Sequence, residues 1–259
     1  MTLPDRFTSP TPERRSAWAV RWRLARLTIH LLAGLLLVSL VFPLVSPPRH
    51  QRLKAYWARR LLQLLGVELR FTGKIPAGGL LVANHTSWLD IFVISAAHPS
   101  TFVAKSEIRR WPMLGWLAKQ IGTLFIERSR RHHAGHIAHE MASRLARGET
   151  IAVFPEGTTS DGRDVLPFHA ALFQPAISAA RPVTALSIRY RDRSGTSTDA
   201  ASYTGDTTLG ESLRRILSVP GIVAELHVLP ALPEEATTDR RRLARAAEHA
   251  IRQQLTRGR

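Results

Sequence analysis

Residues 84–90 read NHTSWLD, with a histidine and an aspartate five positions apart. A neutral imidazole takes a proton from a hydroxyl well when a carboxylate holds its other ring nitrogen. The carboxylate sets the tautomer and offsets the charge that develops. His85 and Asp90 can pair this way only if the chain turns between them. The run Leu80, Leu81, Val82, Ala83 reads as the end of a buried strand. Ser87 reads as the cap of a helix that carries Asp90 in its first turn. Strand ends that feed helices are where open α/β sheets gather their sites. The plain alternative is a His85 bonded to its own loop and an Asp90 that offsets the helix dipole. On this short pattern alone both stay open.

Two further strand ends carry polar groups. FPEGT, Phe154 to Thr158, follows the apolar run IAVF. Pro155 and Gly157 predict a tight turn whose N–H groups face a ligand oxygen. Glu156 either accepts hydrogen bonds from substrate hydroxyls or takes nearby backbone N–H groups as a structural carboxylate. GTLFIERS, Gly122 to Ser129, ends in Arg128. Arg128 holds a phosphate or carboxylate bidentately, or it pairs with Glu127 at the surface.

Alternating short strands and helices must position these groups. Strands are predicted at 67–71, 80–83, 101–104, 123–126, 151–154, 183–188 and 224–229, with helices near 88–97, 113–120, 132–147, 168–179, 209–218 and 238–256. Strands joined by helical crossovers give an α/β fold, a mostly parallel sheet flanked by helices. The stretch 191–208 is rich in Ser, Thr, Asp and Gly and reads as an exposed loop.

The N-terminal part differs in texture. Arg14, Arg15, Arg21, Arg23 and Arg26 precede LTIHLLAGLLLVSLVFPLV at 27–45, an apolar run close to the length of a bilayer core. Arg49, Arg52, Lys54, Arg59 and Arg60 follow it, so both flanks are basic. A single span favours basic residues on one side only. In 51–65 a second amphipathic stretch puts Leu53, Tyr56, Trp57, Leu61 and Leu65 on one face, with Lys54, Arg59 and Arg60 toward water or head groups. The expectation is a helical hairpin that enters one leaflet and returns.

The chain of 259 residues has a formal net charge of +16, 44% hydrophobic residues and no Cys. Its core is large enough for an α/β domain. A cysteine nucleophile, thiolate zinc and disulfides are excluded. The positive charge calls for an anionic partner. Nucleic acid is a poor fit, because the basic run at 240–245 has no stacking aromatic, while Trp18 and Trp22 stand where an interfacial belt belongs. His132, His136 and His139 share a helical face without a carboxylate cluster, and no metal is expected there. Trp111, Pro112, Met113, Leu114 and Trp116 form an apolar loop that rims an apolar tunnel, touches the bilayer or belongs to the core.

Taken together, NHxxxxD, GxxFIxR and FPEGT, in this order and each at a strand end, resemble the glycerolipid acyltransferase family, which includes 1-acylglycerol-3-phosphate acyltransferases. RPVTALSI at 181–188 resembles its fourth block, and the likeness runs from about Tyr56 to Leu229. The resemblance implies transfer of a fatty acyl group from acyl-CoA or acyl carrier protein to a lysolipid hydroxyl, without a further cofactor. It implies His85 as the base, Asp90 as its partner, and Arg128, Glu156, Gly157, Thr158 and Lys105 as acceptor-binding residues. It also implies a basic leader and membrane-associating hairpin over 1–65 and an acyltransferase α/β domain over 66–259. The chain would sit on anionic lipid at the inner membrane, with the catalytic domain in the cytoplasm. Two positions depart from the family pattern. Thr159 follows FPEGT where Arg is common, and Ala185 replaces a second Pro. FPEGTTSDG is similar to members that acylate lyso-ornithine lipid, so the acceptor is either lysophosphatidate, the commonest in the family, or lyso-ornithine lipid.

Overall fold

The computed structural model describes residues 16–110, 114–126 and 131–257. Seven strands form one sheet in the order β1-β7-β6-β2-β5-β3-β4. They are β1 (Val67–Thr72), β2 (Gly79–Ala83), β3 (Thr101–Lys105), β4 (Leu124–Ile126), β5 (Thr150–Val153), β6 (Val183–Arg191) and β7 (Ile222–Val228). The five strands from β6 to β4 run parallel, so their carboxyl ends lie along one edge. β7 is antiparallel to β6, and β1 is parallel to β7. The mostly parallel sheet read from the sequence is present, with every predicted strand end within three residues of its place.

Central strand β2 shows why its sequence is a continuous apolar run. Leu81 and Ala83 enter a core with Leu89, Val93, Ile94 and Leu186, while Leu80 and Val82 enter a second core with Met141, Leu145 and Phe173. Burial on both faces removes the alternation of a one-sided strand. α2 (Pro47–Leu65), α3 (Asp90–Ala97) and α7 (Leu209–Ser218) cover the first face. α5 (Arg131–Ala146), α6 (Gln174–Ser178) and α8 (Arg240–Arg257) cover the second. α4 (Leu114–Gln120) leads into β4.

α1 (Ala17–Leu36) continues through a π-turn and a 3-10 turn to Leu44 before α2 begins. This segment is long and apolar enough to cross a membrane, and only 17% of its most apolar stretch is buried. The two helices pack against each other. The His30 and Trp57 rings stack at 4.9 Å, and a Cβ on Gly34 would lie 2.4 Å from Trp57 Nε1. Trp18, Trp22, Ile29, Leu32, Leu36, Leu40 and Leu44 face outward. A patch of this size marks a surface that meets another apolar phase.

The amphipathic reading of α2 needs three corrections. Ala58, Leu61, Leu62 and Leu65 join the core of the α/β domain, so the hairpin and the domain share one core across the 65/66 boundary. Tyr56, expected on the apolar face, is 69% exposed. Lys54 and Arg59, expected in water, instead donate to the carbonyls of Ser100 and Ala96, with Arg59 Nε at 2.8 Å. Ala96 lies in the last turn of α3, where a cation satisfies a carbonyl at the helix C-terminus, and Ser100 lies in the link from α3 to β3.

Candidate active site

The end of β2 is clamped before the chain turns. Asn84, almost fully buried, donates from Nδ2 to Ile188 O at 2.9 Å and accepts from Ile188 N at 2.8 Å. This double bond ties the start of the NHxxxxD turn to β6. His85 then points its Nδ1 at Asp90 Oδ2, 2.8 Å away, and stacks on Phe154 with ring centroids 4.0 Å apart. With Nδ1 so engaged, Nε2 is the ring nitrogen left for a further partner.

Asp90 has no exposure. Its Oδ2 also accepts the N–H groups of Thr86 at 2.8 Å and Ser87 at 2.9 Å, and its Oδ1 accepts Tyr190 Oη at 2.6 Å. The two readings of Asp90 left open by the motif therefore coincide, because the carboxylate both holds the imidazole and closes the turn ahead of α3. Ser87 does not cap as expected. Its Oγ accepts from Leu89 N, and the helix starts at Asp90. A carboxylate reaching back gathers several N–H groups at once, which a hydroxyl at Ser87 cannot.

FPEGT lies against the same turn. Gly157 takes φ +74°, as its tight turn predicted, but its N–H donates to Phe154 O rather than toward a ligand. Glu156 is buried, and its oxygens accept His85 N at 2.7 Å and Leu166 N at 3.0 Å. Burial pushes this carboxyl above its ordinary 4.5, while both N–H groups pull it back. The structural alternative for Glu156 is thus realised, in direct support of the His85 backbone. Ser160 N adds a bond to His85 O at 2.8 Å.

The remaining predicted site residues are more peripheral. Thr158 and Lys105 are exposed, Lys105 at the carboxyl end of β3. Arg128 lies outside the described residues, as do Trp111, Pro112 and Met113. Trp116 is exposed. Among the described residues no cluster of three His, Asp or Glu is placed to hold a metal, and His136 and His139 face solvent. Sequence reasoning missed Tyr190 and the support from α8. Arg252 reaches Asp164 and Val165 O, and Glu248 accepts Phe168 N, which ties the loop after FPEGT to the C-terminal helix. No local pattern announces these partners, which lie 80 or more residues from the groups they hold.

The chain is similar to several known proteins. The Acyltransferase family matches residues 67–189. A lyso-ornithine lipid O-acyltransferase of Pseudomonas aeruginosa is 39% identical over 206 residues, 79% of each chain. The chain belongs to the acyltransferase family. A 1-acyl-sn-glycerol-3-phosphate acyltransferase of Neisseria gonorrhoeae is 41% identical over 177 residues, 68% of this acyltransferase and 69% of its relative. The fold is similar to that of the 1-acyl-sn-glycerophosphate acyltransferase PlsC of Thermotoga maritima. The TM-score is 0.66 at 19% identity, over 92% of this chain and 97% of the other.

Proposed function

We propose that this acyltransferase moves a fatty acyl group from acyl-CoA or acyl carrier protein to the free hydroxyl of 1-acyl-sn-glycerol-3-phosphate, giving phosphatidic acid. The observation that carries the reading is the His85–Asp90 pair, with Nδ1 held at 2.8 Å and Nε2 left open. As the hydroxyl oxygen attacks the thioester carbonyl, His85 Nε2 takes its proton. The tetrahedral intermediate then collapses with cleavage of the C–S bond, and the thiolate leaves with that proton. No enzyme nucleophile and no further cofactor enters this sequence. Lys105, exposed at the end of β3, and Arg128 supply cations for the acceptor phosphate. Glu156 and Gly157 act on the acceptor site by holding the turn that carries His85, while Thr158 faces the acceptor.

The outward apolar side of α1, with Trp18 and Trp22 at its start, supports insertion of the hairpin into one leaflet. The basic flanks then rest on anionic head groups at the cytoplasmic face of the inner membrane, with residues 66–259 in the cytoplasm. Protease access to both hairpin ends from the cytoplasmic side is the expected result, and protection of the N-terminus alone would refute this arrangement.

A second acceptor, lyso-ornithine lipid, is favoured by Thr159 after FPEGT and by the Pseudomonas relative. The two acceptors separate in one assay. Lysophosphatidate and lyso-ornithine lipid are offered together to membranes holding the protein, with a labelled acyl donor and His85→Ala as control. Label in phosphatidate that depends on His85 is expected. Label in ornithine lipid instead moves the acceptor to the second reading. Label that survives His85→Ala overturns the mechanism.

A further inference from the structure

We propose that Tyr190 is a positioning residue of the acyl-transfer site. Its phenol holds the Oδ1 edge of Asp90 so that Oδ2 stays aimed at the His85 imidazole. The inference rests on His85 being the base.

The placement follows from the sheet. Asn84 fastens the backbone of Ile188 on β6 to the end of β2. Side chains two apart on a strand share a face, so Tyr190 enters the same core as Ile188, Leu89 and Val93, directly beneath the turn. Its hydroxyl meets Asp90 Oδ1 at 2.6 Å, the short distance of an O–H donor on a charged oxygen. The three other donors on this carboxylate, His85 Nδ1, Thr86 N and Ser87 N, all converge on Oδ2. Tyr190 therefore supplies what the turn does not. Without it the carboxylate can pivot to share its donors between both oxygens, and each degree of pivot takes Oδ2 off the imidazole.

The phenol is suited to this task. Burial and the neighbouring Asp90 push its ionisation well above the ordinary 10, so it stays a donor at every working pH. Tyr190 is buried and its hydroxyl meets Asp90, which makes it a positioning residue acting through Asp90. Its ring also fills core volume. Tyr190→Phe keeps that volume and removes only the oxygen.

The experiment measures kcat, KM and the melting temperature of Tyr190→Phe in vesicles, alone and in an Asp90→Ala background. The expected result is a kcat lower by about tenfold to a hundredfold, the value of one hydrogen bond to a charged acceptor. KM for both substrates should stay within about twofold, because the base acts on the transition state, while the melt should fall modestly, because the bond to buried Asp90 is already present in the resting fold. In Asp90→Ala the added change should have no further effect on kcat. A wild-type kcat in the folded Phe variant, or an equal loss in both backgrounds, overturns the proposal. If Tyr190→Phe does not fold, a fluorinated tyrosine at 190 retains shape and ionises at lower pH. The more acidic phenol is a stronger donor to Asp90 Oδ1, so kcat should shift while KM stays within about twofold, and a wild-type kcat overturns the proposal. Near-wild-type turnover by His85→Ala is a separate failure. It removes the base, and this proposal falls with it.

Discussion

Asp90→Asn keeps the shape of the carboxylate and removes its charge. Three donors converge on the Oδ2 position, from His85 Nδ1, Thr86 N and Ser87 N at 2.8, 2.8 and 2.9 Å. They require an oxygen there, so the new amide turns its NH2 toward Tyr190 Oη, which has a lone pair to accept it. The imidazole stays in register with Nε2 outward. What is lost, in the proposed transfer, is the attraction between the carboxylate and the imidazolium that would form when His85 takes the hydroxyl proton. Charge centres about 4 Å apart, at an effective dielectric near 20, attract by about 4 kcal/mol. That corresponds to about a thousandfold in kcat. Both groups are well shielded, His85 at 18% side-chain exposure and Asp90 at 0%, so solvent screening does not erase the term. KM should hardly change, because the charge exists only after proton transfer has begun. Initial-rate transfer of labelled acyl groups in reconstituted vesicles, run beside a thermal melt, measures both. A loss in kcat below about tenfold, or an effect confined to KM, would refute the reasoning, since the paired charge would then contribute little to the step.

Three other perturbations test the surroundings of that pair. Burial raises the Glu156 carboxyl above 4.5, so the folded state binds that proton more tightly than the unfolded chain. Its contribution to stability is complete below 4.5 and is lost as pH rises through the folded value. The melting advantage of the wild type over Glu156→Gln should therefore narrow between pH 4.5 and neutrality, and a pH-independent difference would contradict this. Gly162 has φ +74°, and a Cβ there would sit 2.9 Å from Thr86 Cγ2. Gly162→Ala should cost about 1–3 kcal/mol and lower kcat by displacing Thr86 N from Asp90, and wild-type values of both melt and rate would rule that out. Gly34→Leu drives a side chain into Trp57 and should open the hairpin, read as faster limited proteolysis in the turn at 42–46. An unchanged cleavage rate would mean that α1 does not depend on this contact.

The chemistry of the site was legible because it is local. His85, Asp90, Glu156 and Gly157 sit within two short strings, each behind an apolar run that is unambiguous for a strand buried on both faces. The positioning of the site was not legible, because its partners are distant. Ile188 and Tyr190 lie about a hundred residues from the groups they hold, and an apolar strand with a tyrosine reads as core and nothing more. Lys54 and Arg59 misled for the same reason. Their partners are carbonyls in the last turn of α3 and in the link to β3, which side-chain type does not reveal. Once the fold is known, the five-residue spacing of the motif has a physical explanation. His85 is the first residue beyond the clamp at Asn84, and Asp90 is the first residue of α3. The four residues between them make one turn, and two of their N–H groups face inward. One residue fewer or more would swing the carboxylate about 100° around the helix axis, away from the imidazole, the two N–H groups and Tyr190 together. The spacing that marks the motif in the sequence is therefore the one at which a local turn and a distant strand can grip a single carboxylate.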